Sequence, residues 1–326
     1  MSRERQAALL SQRYLLVRDD DEAHRVAPLY ALARDFIDRF ANAYDFTRKP
    51  ELFVDERANL GAAAIHTTEG YVAIIPVGVY DFAVAEYQKY FPDLDLIDVI
   101  GVDVPKQLLI EIFFLFVTFH EYVHVARGHL DYLRRRGAQM EDSEYQALEY
   151  DADCFSTVMV YRLLQTLLWN ESQDTLIAIV HAGIYWPLRV LHQQTSVTGR
   201  VPTRHPSFAA RLGICGGKLG TIENITPDGM PANDNVTSRR VDINARVLLQ
   251  QERRYAAVVG TAGSAEFVKS LYAPTSASHQ EVLSCAGKWW EIQGDVLGTE
   301  PEEATPNAEG LDWKFEEGRF SFHWHG

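Results

Sequence analysis

Two histidines four residues apart, with a glutamate directly after the first, stand in the segment His120-Glu121-Tyr122-Val123-His124. On a helix this spacing places both imidazoles on one face, within reach of a single zinc ion. Glu121 lies about 100° around the helix, so it is poorly placed as a ligand but can take a proton from a water that zinc activates. The pattern predicts a catalytic zinc site with Glu121 as its general base.

A catalytic zinc site needs a third protein ligand. Glu149 and Asp153 stand four residues apart, and Glu149 follows His124 by 25 residues. On a helix they share a face, so one can bind the metal while the other accepts a hydrogen bond from a ligating imidazole; Asp151 is the reserve ligand. The competing interpretation is a solvated acidic face. On a continuous helix His129 would point about 140° away from His124, so it cannot join the pair unless the helix breaks at Gly128, and we expect it to end the helix or to pack.

The two patterns together, HExxH followed by ExxxD, resemble those of the gluzincin metallopeptidases. The continuation from His124 through Gly128 to His129 is similar to the form in HtpX and CAAX-prenyl-protease relatives. Those families also carry a downstream His-Pro with an arginine six residues after the histidine. Here His205-Pro206, followed by Arg211, matches that pattern.

The similarity covers about residues 55 to 215. It implies that Glu149 is the third zinc ligand, that Asp153 supports the ligands by hydrogen bonding, and that His205 steadies the oxyanion. For His205 the alternative is a structural histidine before Pro206. Many such relatives are membrane-embedded, and this chain shows no sequence of several spans. A chain without spans that carries this motif is similar to the Lit-type phage-exclusion peptidase family.

The hydrophobic pattern favours an α+β fold: a mainly helical, zincin-like metallopeptidase domain with a small β-sheet, plus a C-terminal α/β extension. We expect an N-terminal helical segment at residues 1–50, the zincin-like domain at 51–215, and an extension of unassigned role at 216–326. The predicted helices are 23–46, 103–127, 142–168, 174–191 and 241–258, and the predicted strands are 62–67, 71–79 and 319–324. Asp103 is the expected cap of the helix that carries the motif.

Composition narrows the classes of partner and compartment. The net charge of -14 repels nucleic-acid phosphates and anionic membrane surfaces, so we expect neither as a partner. Three cysteines without short spacing fit a reducing cytoplasm, and the apolar patch at residues 7–10 is too short for the core of a signal peptide. The apolar run at residues 108–119 is shorter than a membrane span and predicts a buried helix.

These features predict a soluble, cytoplasmic zinc metalloendopeptidase that hydrolyses peptide bonds in a narrow set of intracellular proteins. Because such an enzyme must spare its own cell, we expect an activating or inhibitory protein partner, as in phage-exclusion systems. Two alternatives stay open. One is a regulatory or binding protein that holds zinc without turnover, and the other is metal-dependent hydrolysis of a bond other than a peptide bond.

Overall fold

A computed structural model describes the greater part of the chain. The described residues are 21–43, 46, 48–55, 60–66, 70–198, 204–224, 232–259, 267–269, 271, 273–298, 311–316 and 319–324. Residues 1–20 of the predicted N-terminal segment lie outside them, as do residues 225–231 and 299–310 of the predicted extension.

Nine helices account for most of the described structure. They are α1 (Asp21–Ala43), α2 (Val77–Tyr90), α3 (Lys106–Ala126), α4 (His129–Arg136), α5 (Asp142–Leu167), α6 (Gln173–Thr198), α7 (Phe208–Thr221), α8 (Asp234–Val259) and α9 (Ala277–Leu297). A short 3-10 helix, Gly137–Gln139, joins α4 to α5. The prediction of a mainly helical chain is confirmed.

The strands of the described residues form three small sheets. They are β1 (Glu51–Asp55), β2 (Ala63–His66), β3 (Tyr71–Pro76), β4 (Leu96–Val99), β5 (Val102–Pro105), β6 (Leu311–Glu316) and β7 (Arg319–Trp324). The first sheet has the order β1-β3-β2, with β1 parallel and β2 antiparallel to β3, so β2 is an edge strand. The β4–β5 and β6–β7 pairs are antiparallel. A small mixed sheet beside the helices confirms the α+β class.

Helix α3 lies at the centre of the fold, in contact with α1, α2, α5, α6 and the first sheet. Its side chains are buried on nearly every side, as its almost uninterrupted apolar sequence requires. Of the helices in the described part of the chain, α3 alone is long and apolar enough to cross a membrane, yet 78% of its most apolar window is buried inside the protein. That is the environment of a core helix.

Close packing around α3 depends on a glycine in α6. A Cβ atom added to Gly183 would lie 2.5 Å from the Cγ2 atom of Ile112, inside the contact distance of two carbon atoms. The absence of a side chain therefore lets α6 approach the helix that carries the histidines.

Several predicted element boundaries were wrong. The helix predicted at 241–258 begins seven residues earlier, at Asp234. Asp103 does not cap a helix; it lies in β5 opposite Asp98 of β4, and α3 begins at Lys106. Residues 77–79, predicted as strand, open helix α2. The third predicted helix does not end at residue 191, because α6 continues through Pro187 to Thr198. The β2–β3 hairpin and the strand at 319–324 are confirmed.

Helix α9 joins the C-terminal part of the chain to the helices that carry the motif. It packs against α4, α5 and α7. Trp289 and Ile292 of α9 share a hydrophobic cluster with Tyr132 of α4 and Leu148 of α5. The chain beyond residue 215 therefore contacts the elements that hold the predicted zinc ligands.

Candidate metal centre

The structure brings three of the predicted metal ligands together. Successive turns of α3 present His120 and His124 on one face, and their Nε2 atoms lie 3.1 Å apart. Helix α5 brings the Glu149 carboxylate against both, with Oε2 3.3 Å from Nε2 of His120 and Oε1 3.4 Å from Nε2 of His124. All the potential ligand atoms lie within 4.8 Å of one another.

These separations match the requirements of a zinc ion. Zinc bonds to nitrogen and oxygen are about 2.0–2.2 Å long, so two ligand atoms of a tetrahedral centre lie about 3.3–3.6 Å apart. The spacings among the three side chains are 3.1 to 3.4 Å. The cluster can hold a metal ion, and three protein ligands leave a fourth position for water or substrate.

The outer face of His120 meets a buried ion pair. Its Nδ1 atom lies 3.0 Å from Oδ1 of Asp153, which is fully buried. Arg211 of α7 donates two hydrogen bonds to the same carboxylate, with N···O distances of 2.6 and 2.8 Å. Burial opposes ionisation of Asp153, but the charge of Arg211 and the bond to His120 hold its pKa below the usual range. Asp153 thus fixes the ring of His120 and is itself fixed by Arg211.

The outer face of His124 meets a different group. Its Nδ1 atom lies 2.9 Å from Nδ1 of His129. On the far side of that ring, Nε2 of His129 lies 3.1 Å from Oδ2 of Asp151, which also accepts hydrogen bonds from Arg127. Burial lowers the pKa of His129 to about 4, although its bond to Asp151 acts in the opposite direction. Asp151, expected as the reserve ligand, is engaged here by Arg127 and His129.

A glycine turn makes the second arrangement possible. Helix α3 ends at Ala126. Gly128 has a φ of +77°, a left-handed backbone conformation that residues with a side chain rarely adopt. Helix α4 then starts at His129 in a new direction. That turn brings His129 back to His124, which a continuous helix would forbid. As expected, the helix ends before His129 and the ring of His129 is buried; in addition, the ring lies against His124.

Three carboxylates of α5, those of Glu149, Asp151 and Asp153, differ in the partners that compensate their charge. Asp151 pairs with Arg127 and Asp153 with Arg211, whereas the side chains that pair with Glu149 among the described residues are all histidines. Burial raises the pKa of a carboxyl group, but hydrogen bonds from those histidines hold the pKa of Glu149 well below its usual range. Glu149 therefore offers an ionised carboxylate to a cation.

His205 lies at the rim of the cluster. Its Nδ1 atom is 3.1 Å from Oε2 of Glu149, and its side chain is 57% exposed. Two residues on, the backbone N–H and the hydroxyl of Ser207 both donate to the carboxylate of Glu281 in α9, and the Ser207 hydroxyl accepts from the N–H of Ala210 at the start of α7. The C-terminal helix therefore holds the loop that carries His205.

A cleft of about 600 Å³ opens over the cluster. Glu121 lines it beside His120 and His124, and its carboxylate makes no hydrogen bond or ion pair with another described residue. One wall is the edge strand β2, represented by Ala63 and Ala64. Most of the remaining lining is apolar, from Phe113, Phe116, Val117, Leu130, Leu133, Leu188 and Leu191.

Sequence reasoning located the cluster and the supporting carboxylate of Asp153, but it missed the support that Arg127, His129 and Asp151 give to His124. Arg127 and His129 follow the motif at three and five residues after His124, and Asp151 stands two residues after Glu149. The basic residues Arg127 and His129, so soon after the motif, are a sequence signal of such support, but their geometry depends on the turn at Gly128. In comparisons with known proteins, no family model matches this chain, and no curated protein or solved structure does.

Proposed function

We propose that this protein is a zinc-dependent metalloendopeptidase of the gluzincin type, with a zincin-like catalytic domain. The observation that carries the proposal is the convergence of His120, His124 and Glu149 at spacings suited to zinc, with Glu121 facing the same cleft. A purely structural zinc site usually closes with four protein ligands and needs no base. Three potential ligands, beside a Glu121 carboxylate that pairs with no other described residue, favour a catalytic site.

Zinc bound by these ligands would polarise the scissile carbonyl and lower the pKa of the attacking water. Glu121 would take a proton from the attacking water as its oxygen bonds to the carbonyl carbon, and would return the proton to the leaving amine as the C–N bond breaks. His205 lies beside Glu149 at the rim, where its ring can donate to the oxyanion. Asp153 and Arg211 keep the ring of His120 oriented while charge builds up.

The cleft suits an extended peptide with apolar side chains. An edge strand has unpaired backbone groups that can pair with a substrate strand, and β2 is such a strand. Apolar residues one and two turns before His120, among them Phe113 and Val117, continue the lining away from the metal ligands. A peptide paired with β2 would lay its side chains against this lining.

Two adjacent proline substitutions test the pairing. Neighbouring residues of a strand direct their N–H groups to opposite sides, so Ala63→Pro and Ala64→Pro remove one donor toward β3 and one toward the cleft. The variant that loses the outward donor is expected to fold normally and to raise KM by about fivefold, since a lost hydrogen bond costs about 1 kcal/mol. The other variant is expected to lose stability. Peptide kinetics and thermal unfolding separate the two, and unchanged KM in both contradicts the pairing.

Zinc content and a peptide library test the function itself. The purified protein is expected to hold one zinc per chain by elemental analysis and to cleave a subset of the peptides, detected by mass spectrometry. Zinc without cleavage would favour the binding-protein alternative. Cleavage of phosphate or ester panels, with peptides left intact, would favour hydrolysis of another bond.

Zinc binding is expected to compete with protons. Burial lowers the pKa of His120, but hydrogen bonds to Asp153 and Glu149 outweigh this and raise it to about 10 in the metal-free protein. Because the pKa is raised on folding, proton binding to His120 stabilises the folded metal-free protein. This contribution is complete below the unfolded-state pKa near 6.5 and is lost as the pH rises through about 10. Apparent zinc affinity should therefore rise about tenfold per pH unit between about pH 6.5 and 9. Calorimetry in buffers of different ionisation enthalpy counts the released proton, and pH-independent affinity contradicts the assignment.

We also propose narrow specificity, with activity governed by a protein partner and directed at cytoplasmic proteins. A net charge of -14 makes nucleic acid an unfavourable partner. Unfolded casein is the discriminating substrate. Broad digestion of casein by the isolated protein would contradict the proposal.

A further inference from the structure

We propose that His129 is a positioning residue of the metal centre, which holds the ligand His124 through a direct imidazole–imidazole hydrogen bond. The inference rests on the metal site of the proposed function and concerns a residue outside the ligand set. It would make His129 a determinant of zinc affinity.

The hydrogen-bond directions are mutually consistent. A metal at Nε2 of His124 requires that atom to be unprotonated, so the ring proton lies on Nδ1 and is donated to Nδ1 of His129. His129 must then carry its own proton on Nε2, where Oδ2 of Asp151 accepts it at 3.1 Å. Arg127 donates to both oxygens of the same carboxylate. We call His124, His129, Asp151 and Arg127 the hydrogen-bonded row. The nitrogens of both rings and the oxygens of Asp151 in this row each have one defined role.

The two ligating histidines are consequently supported in different ways. His120 meets the carboxylate of Asp153 directly, which is the usual partner of a metal-bound imidazole. His124 is separated from its carboxylate by a whole imidazole ring. The intervening ring fixes the orientation of His124 and keeps the negative charge of Asp151 one residue further from the metal.

Helix α9 covers the hydrogen-bonded row. The ring of Trp289 in α9 meets the ring of His129 edge to face, with centroids 5.7 Å apart. The guanidinium of Arg127 lies 4.0 Å from the ring centroid of Phe155 and 5.5 Å from that of Trp289. His129 is fully buried, and these rings pack around it and its neighbour Arg127.

Three substitutions separate positioning from packing. His129→Asn can keep an acceptor near the position of Nδ1, His129→Gln can keep a donor toward Asp151, and His129→Phe keeps only the ring. The Phe and Gln variants are expected to bind zinc about 10- to 100-fold more weakly than the wild type in chelator competition. The Asn variant is expected to bind about fivefold more tightly than those two, since it retains one hydrogen bond to His124.

His181 supplies the matched control. It is a second fully buried histidine, hydrogen-bonded to Asn244 at 3.1 Å and outside the cluster of potential metal ligands. His181→Phe is expected to lower the melting temperature of the metal-free protein and to leave zinc affinity unchanged. Melting temperatures of the metal-free His129 variants are recorded alongside, because a packing role would affect stability without ranking the affinities.

The outcomes distinguish this inference from the function on which it rests. Weak zinc binding by the Phe and Gln variants, with partial recovery in Asn, supports it. Equal affinities in the wild type and all three variants, or an equal loss in all three, overturns it and leaves the metallopeptidase proposal standing. Absence of zinc binding in the wild type overturns both.

Discussion

Glu121→Gln is expected to retain zinc and to hydrolyse peptides about 100- to 10,000-fold more slowly than the wild type, the range for loss of a general base. The amide has nearly the size of the carboxylate but cannot accept the proton of the attacking water. Glu121 is not among the three clustered ligand residues, so the metal should stay. Peptide kinetics beside elemental analysis of the same preparation measure both effects.

Ligand substitutions give the complementary pattern. Glu149→Ala and His124→Ala each remove one of the three ligand side chains and are expected to lose both zinc and activity. Full zinc content in Glu149→Ala would contradict the gluzincin proposal. Wild-type activity in Glu121→Gln would remove the assignment of the base while leaving the metal site intact.

Asp153→Ala is expected to destabilise the metal-free protein by about 3–5 kcal/mol, the usual cost of removing one partner of a buried ion pair. The fully buried carboxylate of Asp153 accepts two hydrogen bonds from Arg211, whose side chain is 15% exposed. Without it the guanidinium stays buried and unpaired. Asp153→Asn keeps the size and some hydrogen bonding, so it should fall between. Chemical denaturation with a chelator present measures the change without the metal.

An exposed ion pair provides the comparison for Asp153. Asp35 and Arg39 lie 2.8 Å apart on α1, with side chains 58% and 75% exposed. Water screens such a pair, so Asp35→Ala should change stability by no more than about 0.5 kcal/mol. If Asp153→Ala costs no more than Asp35→Ala, the buried pair has no special structural role.

Local pattern located five of the nine helices described above and failed in the segment before the motif. The apolar run at residues 108–119 did prove to be a buried helix. The cap predicted at Asp103 failed because strands β4 and β5 pair there, with the turn at Ile100 and Gly101, both at positive φ. Strand β1 was not predicted, because it joins β3 from a distant position in the chain.

The spacing of the sequence by itself determined that His120 and His124 share a face, because a helix repeats every 3.6 residues whatever surrounds it. It also determined that Glu149 and Asp153 lie one turn apart. These are local consequences of helix geometry.

Only the tertiary structure decided which side chain pairs with each acidic residue of α5. Packing of α5 against α3 sets Glu149 between the histidines, and α7 brings Arg211 to Asp153. The turn at Gly128 returns His129 to His124, and α9 covers it with Trp289. Each of these contacts joins residues whose positions depend on a change of chain direction or on helix packing, which local periodicity does not specify.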